Sequence, residues 1–228
     1  MAAEKERNVF DLTSLQLKAK PPAGAKRPAA LAVKSWKNKP SLTVFSNVDG
    51  APKYGIFGVN LYPFTFMTFL RGLETIAEMP FVPGDKISRK LVIYDKPSQD
   101  KQRIGDLVFG RDVEGIMYIC LVSPDENYPK IPFMFSIPRQ QSYEGLSPQE
   151  ASRDYCLGCV DWWRALMPKQ IMDNFVDETK EPRPGQGGGG GGYGNQGGYG
   201  GGSSYGNQNN NNSAGSGGST ASDDDLPF

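Results

Sequence analysis

The chain has 228 residues, with 25 Lys and Arg, 25 Asp and Glu and no His. That length supports one domain with a substantial core. The absence of His removes the commonest general base and metal ligand. Three cysteines, Cys120, Cys156 and Cys159, make no disulfide framework. No apolar run approaches a membrane span, and Met1 to Lys20 lacks a signal-peptide core, so a cytosolic protein with no membrane contact is expected.

In chain order, Met1 to Asn8 is charged and Val9 to Leu17 reads as a strand. Lys18 to Pro28 is a basic, Pro-rich loop of a kind that orders on a polyanion. Ala29 to Trp36 and Ser41 to Phe45 read as strands joined by the basic turn Lys37-Asn38-Lys39-Pro40. Asn47 to Gly50 is another turn. Lys53 to Leu61 reads as a strand whose Gly55 and Gly58 mark close backbone approaches or a bulge.

Tyr62 to Met79 changes period. Phe66, Phe69, Leu70, Leu73, Ile76 and Ala77 fall at helical spacing, Pro63 suits the first turn and Pro80 ends the helix. Further strands follow at Lys86 to Tyr94, Ile104 to Phe109, Ile116 to Val122 and Ile131 to Ile137. Pro132 points to an edge or a bulge in the last. Ser147-Pro148-Gln149-Glu150 is a capping box opening a helix that should stop at Pro168. Its expected apolar stripe is Ala151, Tyr155, Cys159, Trp162 and Leu166, with a last short turn at Gln170 to Val176.

Beyond Arg183 the composition changes. Pro184 to Ser222 is mainly Gly, Asn, Gln, Ser and Tyr, without Lys, Arg, Asp or Glu. Such a tract buries too little apolar surface to offset its ordering entropy, so a disordered tether is expected over residues 183–222. Tyr193, Tyr199 and Tyr205 recur within it in the manner of weakly self-associating tails. The chain ends Asp223-Asp224-Asp225-Leu226-Pro227-Phe228. A Phe ending a long polar tract suits capture by a partner: a pocket for the ring, a basic group for the terminal carboxylate and a basic rim for the aspartates. All 25 basic residues lie at or before Arg183 and only three of the 25 acidic ones lie in the tip, so the body carries a net charge of +3. The excess is greatest early: Lys5, Arg7, Lys18, Lys20, Lys26, Arg27, Lys34, Lys37 and Lys39 face only Glu4, Glu6 and Asp11.

A basic-aromatic body, an uncharged Gly/Asn/Gln tether and an Asp-Asp-Asp-Leu-Pro-Phe end together resemble the bacterial single-stranded DNA-binding proteins and their phage-encoded counterparts. The resemblance covers the C-terminal fifth of the chain. It implies that Asp223, Asp224, Asp225, Leu226, Pro227 and Phe228 dock replication and repair proteins, and that the cell is bacterial, or the bacterial host of a phage. It also favours one architecture for the body, residues 1–182. Many short strands, a mid-chain helix and a C-terminal helix fit a mostly β fold with two helices, an oligonucleotide-binding (OB) Greek-key barrel with extensions. Oligomeric state is left open, a homo-oligomer included.

Holding single strands without sequence preference needs cations for phosphates and exposed rings for bases. Lys34, Trp36, Lys37 and Lys39 form the best such group; the competing reading has Trp36 capping the core. Lys53, Tyr54 and Phe57 come second, although Phe57 is equally suited to the interior. Arg89 and Lys90 with Tyr94 and Lys96 come third, and Lys101, Arg103, Phe109 and Arg111 form a similar group.

Cys156-Leu157-Gly158-Cys159 has the spacing of a redox or metal pair. It falls two turns into the second helix, away from the N-terminus that stabilises a thiolate, and packing as small apolar side chains is expected. No phosphate-binding Gly loop, nucleophile elbow or metal-ligand set is present, so neither catalysis nor a cofactor or metal is expected. The sequence therefore predicts binding and protection of single-stranded DNA in replication, recombination and repair. The rival reading is an RNA-binding protein with a glycine-rich tail, although Lys53 to Tyr62 carries RNA-recognition letters in the wrong register.

Overall fold

The computed structural model describes residues 15–95, 101–138 and 141–177. Within them the chain twice runs through four strands and then a helix. The first set is β1 (Leu17–Ala19), β2 (Ala29–Trp36), β3 (Lys39–Phe45), β4 (Ile56–Asn60) and α1 (Pro63–Glu78). The second is β5 (Ile87–Tyr94), β6 (Arg103–Arg111), β7 (Met117–Val122), β8 (Pro132–Met134) and α2 (Pro148–Asp173). Each set of strands makes its own antiparallel sheet, ordered β1-β2-β3-β4 and β5-β6-β7-β8.

A mostly β body with two helices is what the hydrophobic periods predict. The order within each sheet is a meander, because every strand pairs with its neighbour in sequence. A Greek key needs a long connection that returns a strand beside the first. Neither that return nor closure of a barrel is among the strand pairings of the described residues.

Alternation decides which face each strand buries. In the first sheet Leu31, Val33, Leu42, Val44 and Val59 turn inward. In the second, Leu107, Phe109, Met117, Ile119, Leu121 and Phe133 do so. The helices cover these faces: α1 packs on β3 and β6, and α2 on β2, β3 and β7. The buried face of α1 is the expected stripe, with Phe69 edge-on to Phe109 at 5.0 Å between ring centres. Arg164 of α2 reaches Glu74 of α1 at 2.5 Å and ties the helices together. The end of α1 is held by buried Arg111, which donates to the Met79 and Pro80 carbonyl oxygens at 2.7 and 2.8 Å.

Several boundaries differ from expectation. Of the strand read at Val9 to Leu17, only Leu17 belongs to β1, and residues 9–14 lie outside the described residues. Lys39 and Pro40 belong to β3, so the turn is Lys37-Asn38, with Lys37 at φ 51°. Lys53 to Gly55 form a left-handed turn before β4 instead of the first residues of the strand. The strand read at Ile131 to Ile137 shrinks to three residues, with Pro132 on an edge strand as its missing N–H requires.

α2 begins at the expected capping box. The Ser147 N–H and hydroxyl hold the Glu150 carboxyl below the usual range. The helix then runs through Pro168 rather than stopping there, because Met167 and Gln170 bury on either side of it. Its buried stripe is Ser152, Cys156, Val160, Trp163 and Met167, one residue on from the expected one. The Ser152 hydroxyl accepts from the Met117 N–H at 2.9 Å, a polar buried position that an apolar pattern does not reveal.

Candidate nucleic-acid interface

The face of the first sheet turned away from the helices carries the leading candidates. Read across β2, β3 and β4, its rows are Ala30–Phe45–Ile56, Ala32–Thr43–Gly58 and Lys34–Ser41–Asn60, then Trp36–Lys39 at the hairpin end. Trp36 is 59% exposed at the end of β2 and does not cap the core. Opposite it, the Lys39 ammonium lies 5.2 Å from the centre of the Tyr62 ring, itself 66% exposed. The turn residue Lys37 is exposed beside them. Two rings and two lysines therefore share this end.

The middle of the face is a shallow trough. Lys34 extends along it until its Nζ lies 6.0 Å from the Phe45 ring. Ala32, Thr43 and Ser41 flank that path and are almost enclosed. Small side chains here leave room for the aliphatic stem of Lys34 while its charged head stays near the surface.

The other end is built by the two long connections of the sheet. An isolated bridge pairs Ala25 with Val48, and Asn47 Nδ2 donates to the Pro28 carbonyl oxygen at 2.7 Å. These contacts bring the basic loop against the β3–β4 connection. Lys26, Arg27 and Lys53 line one open cleft of about 870 Å³ there, with Asn47, Asp49 and Tyr54.

Lys53, Tyr54 and Gly55 are all left-handed, at φ 47°, 59° and 72°. For the first two residues this costs roughly 1–3 kcal/mol each. The turn is held from behind by Ser46, which is buried and whose N–H donates to the Gly55 carbonyl oxygen at 2.9 Å. A side chain at Gly55 would collide with the Ser46 hydroxyl. This backbone leaves the Tyr54 ring 94% exposed beside three cations.

Other expected site residues lie elsewhere. Phe57 faces inward, half-buried, 5.5 Å from the Tyr128 ring and packed over Gly105, because it alternates with outward Ile56. That removes it from the interface. Arg89 pairs with Phe109 on the helix-covered side of the second sheet, beside Gly72 of α1. Tyr94 and Arg103 pair across the β5–β6 hairpin. Lys101 lies 4.3 Å over the Tyr94 ring, while Arg103 is engaged by Asp106 through Nε at 2.7 Å. Phe109 and Arg111 of the same expected group are buried, and the strands that carry these residues belong to a different sheet from that of Trp36. Lys96 and the tip Asp223 to Phe228 lie outside the described residues, as does the tether at 183–222.

Sequence reasoning missed Tyr62, Phe45, Lys26 and Arg27 as members of the face. Tyr62 was assigned to the start of α1, yet it is two residues beyond outward Asn60 and keeps that strand's alternation. Lys26 and Arg27 belong to the basic loop that the sequence marked for a polyanion, but only the Ala25–Val48 bridge places them beside Tyr54.

The cysteines are part of the packing. Burial pushes the Cys159 and Cys120 thiols up to about 12 and raises Cys156 as well. None is poised as a thiolate. Among the described residues no group of three or more His, Cys, Asp or Glu is placed to hold a metal ion, and no helix is long and apolar enough to cross a membrane. Comparison with protein-family models, with curated proteins and with solved structures finds no match to this chain.

Proposed function

We propose that the outward face of the first sheet binds single-stranded DNA with little sequence preference, and that the chain protects strands exposed in replication, recombination and repair. One observation carries the reading. Exposed rings and cations gather at both ends of the first sheet: Trp36, Lys39 and Tyr62 at one, and Tyr54, Lys53, Lys26 and Arg27 at the other. Rings supply sequence-tolerant stacking worth roughly 1–3 kcal/mol per base, and the cations follow the phosphates. A duplex offers its base faces to neither ring, so single strands are the preferred ligand.

The acidic tip completes the reading. Asp223 to Phe228 recruits replication and repair proteins, as its resemblance to the bacterial and phage family implies. Without DNA the tip competes for the basic face, and DNA displaces it. The protein works in the bacterial cytoplasm, or in the host if phage-encoded, without cofactor or catalysis. The OB barrel rests on the pattern of short strands and two helices together with the tail resemblance, and the sheet-face reading does not require it.

The test is a tryptophan-fluorescence titration of the full chain with oligo-dT at two salt concentrations, with duplex DNA and single-stranded RNA as competitors. Quenching by oligo-dT that weakens with salt, with duplex competing poorly, is expected. Equal competition by RNA would transfer the reading to RNA. Absence of quenching and of any mobility shift at low salt would overturn it. Removing residues 223–228 should raise DNA affinity at low salt and abolish partner binding.

A further inference from the structure

Resting on the single-strand reading above, we propose that the face grips a strand by its bases only at two separated points. One point is the Trp36–Tyr62 pair and the other is Tyr54. Phe45, in the row nearest the Tyr54 turn, belongs to the Tyr54 end; between the two ends the strand passes as backbone over the Ala32 and Lys34 rows, where its bases meet no ring.

The spacing requires this. From Ala30, in the row nearest the Tyr54 turn, to Trp36 is six residues of β2, or about 20 Å at the rise of a strand. Bases stacked on one another are separated by only about 3.4 Å. The two ring sites therefore cannot hold adjacent nucleotides, and intervening nucleotides must cross the trough. The rows they cross, Ala32–Thr43–Gly58 and Lys34–Ser41–Asn60, contain no aromatic residue. Their cation is Lys34, whose Nζ lies toward the Phe45 end. The ammonium therefore stands over Phe45 at the edge of these ring-free rows, placed for the phosphate of a nucleotide entering them.

The two ring sites are also held differently. Tyr54 is fixed by a left-handed backbone braced on Ser46. Trp36 ends β2 opposite Lys39, and Tyr62 is the extended N-cap of α1 beside the same lysine. Each site is thus complete without the other, and the protein should tolerate a strand that lacks bases in its middle. Such a reader accepts damaged strands as readily as intact ones, provided that the two gripped bases are present.

The experiment uses the full chain and a fluorescently labelled oligo-dT of the shortest length that binds fully, so that the protein cannot slide to avoid a lesion. A single abasic residue is walked along it and affinity is read by anisotropy. Losses of about tenfold are expected at two separated positions, with changes under about twofold between them. Trp36→Ala should remove the penalty at one position and Tyr54→Ala the penalty at the other. Both residues are exposed, so neither change threatens folding. A uniform loss at every position, a loss confined to the middle, or removal of the same penalty by both variants would overturn the two-point grip while leaving single-strand binding intact. Failure of the unmodified oligo-dT to bind at low salt would overturn both.

Discussion

Asn38 closes two hydrogen bonds with the backbone of Val176: its amide Nδ2 donates to the carbonyl oxygen at 2.7 Å, and its Oδ1 accepts from the N–H at 2.9 Å. The side chain mimics a strand partner for the segment that follows α2. It fastens that segment to the two-residue turn between Trp36 and Lys39. Val176 is thereby fixed beside the hairpin end that carries Trp36 and Lys39.

Asn38→Ala should therefore cost about 1–3 kcal/mol, since it removes two bonds and leaves a part-buried N–H and C=O to find water. Urea unfolding with an unchanged m-value measures it. Asn38→Asp keeps the acceptor but loses the donor, and should fall between the two. Equal stability of all three proteins would show that the end of α2 is held by packing alone.

Trp36, Tyr54 and Phe57 all looked like stacking residues, and structure divides them. Trp36→Ala and Tyr54→Ala should each weaken oligo-dT binding by roughly 1–3 kcal/mol with little effect on stability. Phe57→Ala should do the reverse. Its ring packs over Gly105 and against Tyr128, so about 2 kcal/mol of stability is lost while affinity for DNA is kept. Parallel thermal melts and titrations separate the classes. Loss of affinity in a stably folded Phe57→Ala protein would return that ring to the interface.

The lysines predict a salt signature. Each phosphate neutralised on a single strand contributes about 0.7 to the slope of log affinity against log salt. Lys34→Gln, Lys39→Gln and Lys53→Gln should each reduce the slope by about that amount and weaken binding to all sequences alike. Arg103→Gln should leave the slope unchanged, because Asp106 already engages that guanidinium. A slope that responds to Arg103 instead would move the path of the strand to the second sheet.

Two helical glycines should respond to alanine in opposite directions. Gly158 is exposed on α2 and a Cβ there meets nothing within 4 Å, so Gly158→Ala should stabilise by about 1 kcal/mol through helix propensity. Gly72 has the same propensity to gain. A Cβ there, however, comes within 2.7 Å of the Phe109 ring, which is itself buried against Phe69. Overpacking of roughly 1–3 kcal/mol outweighs the gain, so Gly72→Ala should be destabilising. Thermal midpoints of the two variants on either side of the parent protein would bear this out.

By itself the sequence determined what depends on near neighbours. The 3.6-residue period of Phe66 to Ala77 marked α1 and its buried face, and Ser147 to Glu150 marked the start of α2. The strands from Ala29 to Phe45, with Trp36 and its lysines at their hairpin, followed from alternation and turn residues. Only the tertiary structure decided which strands pair and what stands opposite what. A one-residue displacement separates the expected stripe of α2 from the observed one, because both flanks of that helix carry apolar residues and the choice was made by the sheets it packs on. Phe57 turned inward because β4 needed that side against Gly105. Lys26 and Arg27 joined Tyr54 because Ala25 bridges to Val48 and Asn47 holds Pro28. Hydrogen bonds and contacts between distant residues carry no periodic trace in the chain, so Lys34, Trp36, Lys39, Lys53 and Tyr54 were legible as candidates while Phe45, Tyr62, Lys26 and Arg27 joined them only through the assembled sheet.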